Sequence, residues 1–347
     1  MRLGVTTVTV PMRGGLEAAH GTVSDRELIR VTLQAGDGIA GHGEAAPLPS
    51  YDGVTPADVR AALEVCRPVL AEYPGHAPVA DVIARCGEAT VLPQALAAID
   101  LALWDLAGRR AGEPVWRLLG ATASPPPIAV NRTIAAADRS RAALEAAEAR
   151  TDGFSTVKVK VGLGDDAGRL AAVRAFAGPQ MAIRIDANGA WEPAEAEATL
   201  RALEPVGIEL CEEPVHGRAA IAALRGTTGI PLALDETVSE PLALDPPAAA
   251  ELACLKIARC GGISGTLAAA ARAHAAGYEV YLASTLDGPL GIAAGLHVAV
   301  LLRPGRACGL ATLGLFAGRE DPLAPRDGAI AVPGGPGLGG EALIAWY

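Results

Sequence analysis

The chain has 347 residues, half of them hydrophobic and 20% charged, which excludes a disordered polymer and supplies apolar material for a large core. A formal net charge of −10 without any basic run excludes a nucleic-acid backbone or an anionic membrane surface as partner, since both select clustered Lys and Arg. The length exceeds one typical domain, but an α/β barrel alone uses roughly 200 to 250 residues, so one barrel with a smaller companion is expected.

From the N-terminus, Met1 to Val10 alternates like a strand and lacks the apolar core of a signal peptide. A second strand is expected near Leu28 to Gln34, then a Gly-rich turn from Gly36 to Gly43 and helices over Pro56 to Val69 and Pro93 to Arg110. In the last of these Leu96, Ile99, Leu103 and Leu106 recur every three or four residues, the period of a helix face. These elements predict an α+β capping domain over residues 1–122, and Ser124-Pro-Pro-Pro127 breaks the chain after it.

Strand and helix patterns then alternate, the signature of βα units around a parallel sheet. The expected strands are Ile128 to Ile134, Thr156 to Val161, Ala182 to Ala187, Gly207 to Glu212, Pro231 to Glu236, Ala253 to Ala258, Glu279 to Ser284 and Ala307 to Thr312. Ala-rich helices such as Ala136 to Arg150, Pro193 to Leu203 and Ser264 to Ala276 would form the outer ring. The fold class expected is α/β, a (β/α)7β TIM-like barrel over 123–320 with an α+β cap, completed by a Pro- and Gly-rich tail over 321–347. The longest apolar stretch, around Ile292 to Leu302, is broken by Gly295 and His297 and is too short to span a bilayer, so a soluble, cytoplasmic protein is expected.

Six scattered cysteines without C-x-x-C spacing read as reduced, buried thiols, with Cys211, Cys254, Cys260 and Cys308 in strands. The six histidines, His20 and His297 among them, share no register and are read as core or surface residues.

Charged residues occupy strands where a barrel would bury Val or Leu: Lys158 and Lys160, then Asp186, Glu212, Asp235 and Lys256. Successive steps from Lys160 to Lys256 are 26, 26, 23 and 21 positions, one βα unit each. Side chains at equivalent heights on consecutive parallel strands converge at the C-terminal mouth of a barrel. Solvated strand-end charges are the plainer alternative, but buried charges persist only when paired or metal-bound, and a shared register disfavours coincidence. Three carboxylates without His or Cys make a hard oxygen site suited to Mg²⁺, with Mn²⁺ as a substitute, and poor for zinc. Lys158 and Lys160 face the same way, and one lysine depressed by the ion and its neighbour could act as a base. Lys256, four strands on, would lie across the mouth. Gly261, Gly262 and Gly288 could present main-chain N–H groups to a carboxylate. The segments Arg13 to Gly21 and Pro47 to Gly53 are expected to close over the mouth and set specificity.

The motifs Val157-Lys-Val-Lys-Val161, Ile185-Asp-Ala-Asn-Gly-Ala-Trp191, Glu212-Glu-Pro214, Leu234-Asp-Glu236 and Leu255-Lys-Ile-Ala-Arg-Cys-Gly-Gly262 resemble the muconate-lactonizing subgroup of the enolase superfamily. Gly41-His-Gly-Glu-Ala-Ala-Pro47, Ala98-Ile-Asp-Leu-Ala-Leu-Trp-Asp105 and Pro336-Gly-Leu-Gly339 extend the resemblance over nearly the whole chain. It implies a lysine base and Mg²⁺ acting on a small-molecule carboxylate through an enediolate, the known chemistry of that superfamily. On that resemblance Asp186, Glu212 and Asp235 hold the metal, Lys160 takes the α-proton, Lys256 sits opposite, and Lys158, Asn188 and Ser284 bind substrate. The seventh strand reads Ala283-Ser-Thr-Leu-Asp287, without the catalytic His of the mandelate-racemase type. The eighth, Ala307-Cys-Gly-Leu-Ala-Thr312, lacks the Asp-x-Asp of dipeptide epimerases and is similar to the o-succinylbenzoate synthases of menaquinone biosynthesis. N-succinylamino acid racemase, another acyl amino acid racemase or a cycloisomerase is the alternative within the subgroup. A metal-stabilised scaffold without turnover is the alternative outside it, which the lysine pair disfavours. A homo-oligomer is compatible with the resemblance.

Overall fold

The computed structural model describes residues 1–18 and 21–347. Strands β1 (Arg2–Ala18), β2 (Gly21–Gln34) and β3 (Ala40–Ala45) form an antiparallel sheet in that order. The first hairpin runs well past Val10, and residues 11–13 rest on the barrel: Ala317 N donates to Pro11 O (2.8 Å) and Arg13 Nε to Phe316 O (3.0 Å). Local pattern carries no trace of such a support. Residues 13–18 and Gly21, expected within a loop, are strand, and Ala19 and His20 lie outside the described residues.

Helices α1 (Pro49–Asp52), α2 (Pro56–Glu72), α3 (Val79–Ala89) and α4 (Pro93–Ala111) follow the sheet. Leu3, Ile29, Val31 and Leu33 of the strands pack with Leu63, Leu70, Ile99 and Leu103 of the helices. Thr55 caps α2 reciprocally with Asp58, satisfying two otherwise orphaned N–H donors. The Gly41-His-Gly43 motif is explained by close approach, since a Cβ on Gly43 would sit 2.0 Å from Ala98 O and one on Gly41 2.1 Å from Ala102 O.

After α5 (Val115–Leu118), the expected strand Ile128 to Ile134 divides in two. β4 (Ile128–Ala129) pairs antiparallel with β12 (Ala329–Ile330), whereas β5 (Arg132–Ile134) joins the barrel. β6 (Thr156–Lys160), β7 (Ala182–Asp186), β8 (Ile208–Glu212), β9 (Leu232–Leu234), β10 (Leu252–Lys256) and β11 (Glu279–Ala283) continue the parallel sheet in sequence order. Helices α6 (Arg139–Thr151), α7 (Asp166–Ala177), α8 (Pro193–Leu203), α9 (Arg218–Leu224), α10 (Ile257–Cys260), α11 (Gly262–Ala276) and α12 (Pro289–Leu302) intervene or follow. The ring closes through residues 307–309 rather than a full eighth strand. Cys308 N donates to Ala129 O (2.8 Å), Asn131 N to Cys308 O (3.0 Å), Gly309 N to Leu282 O (2.7 Å) and Ser284 N to Gly309 O (3.1 Å). The chain then turns away through a 3₁₀ segment at Leu313–Leu315. The result is a TIM-like α/β barrel with a separate antiparallel cap sheet.

Two strands end two residues earlier than expected. β9 ends at Leu234, so Asp235 opens a tight turn, and β10 ends at Lys256 where α10 begins. Cys260 thus lies on a helical turn instead of a strand; all six cysteines are free, and all but Cys260 are buried. The tail passes over the cap helices, Val115 N donating to Gly337 O (2.9 Å) and Leu338 N to Asp105 Oδ1 (2.8 Å), before α13 (Glu341–Ala345).

His297 is a fully buried structural residue of α12: its Nδ1 accepts from Trp116 N (3.3 Å) and its Nε2–H points to Leu338 O (3.1 Å). Burial lowers its pKa from 6.5 to about 4. The unfolded chain therefore binds the extra proton between those values, so the stability from this group is complete above about pH 6.5 and is lost as pH falls toward 4. The loss is on the order of 3 kcal/mol. Urea unfolding of His297→Gln at pH 7 and pH 5 is expected to show a smaller drop between the two than the wild type shows.

Candidate active site

Lys158, Lys160, Asp186 and Glu212 reach one space because of strand register: Lys160 pairs with Asp186 across β6 and β7, and Asp186 with Glu212 across β7 and β8. Asp235, one residue beyond β9, and Lys256, the last of β10, continue the row on the next two strands. The six groups form two ion-paired sets, Lys158 and Lys160 with Asp186 and Glu212, and Lys256 with Asp235. Lys158 Nζ contacts Glu212 Oε2 and lies 2.9 Å from Asp186 Oδ2. Lys160 Nζ donates to Asp186 Oδ2 and Asn188 Oδ1, each at 2.7 Å. Lys256 Nζ sits 2.6 and 2.7 Å from the two Asp235 oxygens.

Burial disfavours the charge on Lys158, Lys256, Asp186 and Glu212, and neighbouring opposite charges work against it. Burial works against the Lys158 ammonium, but Asp186, Glu212 and Asp235 outweigh it and hold the group well above the usual lysine value. Lys256 is likewise raised, its burial overcome chiefly by Asp235. Burial also opposes the Asp186 carboxylate, yet Lys158 and Lys160 hold it well below the usual range. Glu212 goes the other way: burial raises it, Lys158 opposes, and Asp186 and Asp235 add to the rise.

Seven of the eight residues singled out from sequence line one cavity: Lys158, Lys160, Asp186, Asn188, Asp235, Lys256 and Ser284. Glu212, 1% exposed, lies behind this lining and meets it through Lys158. Ligand atoms of Glu212, Asp235 and Cys254 lie within 4.8 Å of one another. Burial, then Asp235 and Glu212, holds the Cys254 thiol well above its usual pKa, so it stays neutral and the anionic donors there are oxygens. With Asp186 adjacent on β7, the donor chemistry fits a hard divalent cation.

Neighbouring groups fix these side chains. Asn188, at φ +46°, accepts from Lys160 and donates from Nδ2 to Glu236 Oε1 (2.9 Å). Glu213 accepts from Asp235 N (2.8 Å), Thr237 N (3.1 Å) and the Thr237 hydroxyl, which sets the turn that aims Asp235.

Other lining residues were not singled out from sequence. Asn131 and Thr133 share the inward face of β5 and its approach, a period-2 signal that was available. Thr312 bonds Ser284 through their hydroxyls (2.8 Å). Val23, Leu48, Ser50 and Tyr51 come from the cap, and the segment expected to overlie the mouth at 47–53 does line it. The Tyr51 hydroxyl donates to Asp235 Oδ1 (2.9 Å) and accepts from Lys256, and its ring centroid lies 4.3 Å from the Lys256 ammonium. No local sequence signal announces that insertion. Gly288 N, expected to face a ligand carboxylate, instead donates to the buried Glu44 Oε1 (2.7 Å).

Residues 2–120 match the mandelate racemase / muconate lactonizing enzyme N-terminal domain, and residues 141–343 match the enolase C-terminal domain-like family. The o-succinylbenzoate synthase of Mycobacterium tuberculosis is 42% identical over 225 residues, 60% of this chain and 67% of that protein. The N-succinyl-L-Arg/Lys racemase of Bacillus cereus is 30% identical over 84% of this chain and 81% of that protein. Its crystal structure superposes with a TM-score of 0.91, at 27% identity, over 100% of this chain and 98% of that one. A dipeptide epimerase from Cytophaga hutchinsonii, solved with Mg and D-Ala-L-Val, gives a TM-score of 0.89 at 26% identity over 97% of this chain and 94% of that one. No helix among the described residues is long and apolar enough to cross a membrane.

Proposed function

The chain belongs to the mandelate racemase / muconate lactonizing enzyme family and is an enzyme of the enolase superfamily; from that premise we propose that it is an o-succinylbenzoate synthase of menaquinone biosynthesis. The reaction would remove the proton α to a substrate carboxylate and expel hydroxide from the neighbouring carbon. The observation that carries this reading is that Lys160 and Lys256, on strands four apart, line one cavity with Asp186 and Asp235 while the rest of the lining is neutral or apolar.

We assign Asp186, Glu212 and Asp235 to Mg²⁺, for which Mn²⁺ can substitute. When bound, the ion supplies positive charge against which a carboxylate can take on a second negative charge. Lys160, held by Asp186 and Asn188, is the group that accepts the α-proton and returns it to the departing hydroxide. Lys256, fixed by Asp235 and Tyr51, supplies a stationary positive charge on the other face. Lys158 orients Asp186 and Glu212 and faces the substrate carboxylate, while Asn188 and Ser284 contact the substrate body. We take residues 1–122 with 321–347 as the cap and 123–320 as the barrel.

Away from the charge network the lining is neutral or apolar: Asn131, Thr133, Ser284, Thr285 and Thr312 beside Leu48, Leu286 and Leu315. Among the described lining residues no carboxylate stands there to pair a substrate ammonium, which favours a synthase over a dipeptide epimerase. The second reading is an N-succinylamino acid racemase, favoured by the amine on each face and by the racemase relative.

Incubation with the hydroxylated cyclohexadiene carboxylate used by such synthases, and separately with each enantiomer of an N-succinylamino acid, distinguishes them. Rapid formation of the aromatic product without enantiomer interconversion is expected. Interconversion alone would replace the synthase assignment with the racemase.

A further inference from the structure

The rim of the cavity is assembled from segments distant in sequence, and one side chain joins them. Arg26 of β2 is 2% exposed and spends its donors on main-chain carbonyls: Nη1 on Pro47 O, Nη2 on Ala46 O and Thr285 O (3.0 Å each), Nε on Leu286 O (3.4 Å). Ala46 and Pro47 lead directly into Leu48, Ser50 and Tyr51 of the lining, Thr285 and Leu286 line it themselves, and Val23 lies three residues before Arg26. A guanidinium offers five N–H groups in a rigid fork, which suits it to hold carbonyls from two segments in one geometry.

What is held is not at rest on its own. Leu286 adopts φ +59°, the left-handed region that a residue with a Cβ seldom occupies without surrounding constraint. Thr285 is drawn onto Asp287, its hydroxyl donating to Oδ1 (2.7 Å) and its N–H to Oδ2 (3.3 Å). On the next residue, Gly288 N is held by Glu44 of β3, which also accepts from the Tyr347 hydroxyl. The turn after β11 is therefore held from outside by the cap sheet, through Arg26 at residues 285 and 286 and through Glu44 at residue 288.

We propose that Arg26 is a positioning residue that locks the cap to the turn after the seventh barrel strand and fixes Leu286 as an apolar wall of the substrate pocket. Arg26 touches no substrate; it acts through Leu286 and through the carbonyls of Ala46 and Pro47, which lead into Leu48 of the lining. The pocket's specificity for the carbon body of its carboxylate is then set jointly by cap and barrel. This rests on the assignment of the cavity as the substrate site.

The test uses the full-length protein loaded with Mg²⁺, with Arg26→Met, Arg26→Lys, Leu286→Ala and Arg26→Met/Leu286→Ala, on whichever of the two substrate types the wild type turns over. Arg26→Met is expected to raise KM about tenfold with kcat within about threefold, the signature of lost binding rather than lost chemistry. Leu286→Ala should raise KM comparably, the double variant no further than the larger single effect, and Arg26→Lys should recover part of the loss. A fall in kcat with unchanged KM, or single effects that multiply in the double variant, would overturn the proposal. Amide hydrogen exchange of wild type and Arg26→Lys, without substrate, is the second measurement. Faster exchange is expected together over residues 284–288 and 48–53, and unchanged exchange at 284–288 would overturn the proposal. Because exchange needs no turnover, it decides the clamp even where neither substrate reacts and the functional assignment falls.

Discussion

Lys160→Ala is expected to lower turnover by at least about 10²–10⁴-fold, the usual contribution of a positioned acid–base group, while the protein stays folded. Its Nζ lies at the mouth of β6 against Asp186 and Asn188, where removal opens space at a cavity lining instead of a gap in the apolar core. Asp186 keeps Lys158 as a partner at 2.9 Å, so the variant leaves no buried carboxylate without a counter-charge. The same measurement on Lys256 separates two chemistries. Where Lys256 is a stationary charge, Lys256→Arg retains more activity than Lys256→Ala; where it exchanges protons, Lys256→Arg is nearly inactive, because a guanidinium hardly releases a proton. Steady-state rates of the three variants with saturating Mg²⁺ provide the comparison.

The second large effect concerns the carboxylates. Asp186→Asn, Glu212→Gln and Asp235→Asn, or removal of divalent cations from the wild type, are each expected to cost more than the roughly 10–100-fold typical of losing a supporting partner of a metal ligand. Each variant also leaves a buried ammonium with less compensation: Asp186→Asn affects Lys158 and Lys160, and Asp235→Asn affects Lys256. Metal affinity measured by calorimetry should therefore fall with activity, and Mn²⁺ should restore the chelated wild type. Full activity in excess chelator would refute the metal assignment.

The charged side chains of the site were legible because charge inside barrel strands is conspicuous and βα spacing converts sequence distance into register. The same argument found Lys160, Asp186 and Glu212, which pair directly across neighbouring strands. It did not find Tyr51, Arg26 or Leu286, whose positions depend on how the cap docks on the barrel, a long-range packing outcome with no local period. Nor did it anticipate Glu44 claiming the Gly288 N–H, since the two lie 244 residues apart. The barrel strands were located by alternation, but their ends shifted where tertiary contacts intervened. The strand from Ile128 split because β12 captures Ile128 and Ala129 while Arg132 to Ile134 pair with β6, and the eighth strand shrank to the bonds around Cys308 and Gly309.

The most direct test of the central claim is the release of deuterium from the α-carbon of an α-deuterated substrate into water, followed by mass spectrometry. The wild type with Mg²⁺ is expected to release the label during turnover, and neither Lys160→Ala nor the chelated wild type is expected to do so at a measurable rate. Label release by Lys160→Ala at the wild-type rate, or wild-type turnover with the α-deuterium retained, would contradict the assignment of Lys160 as the base acting next to a carboxylate.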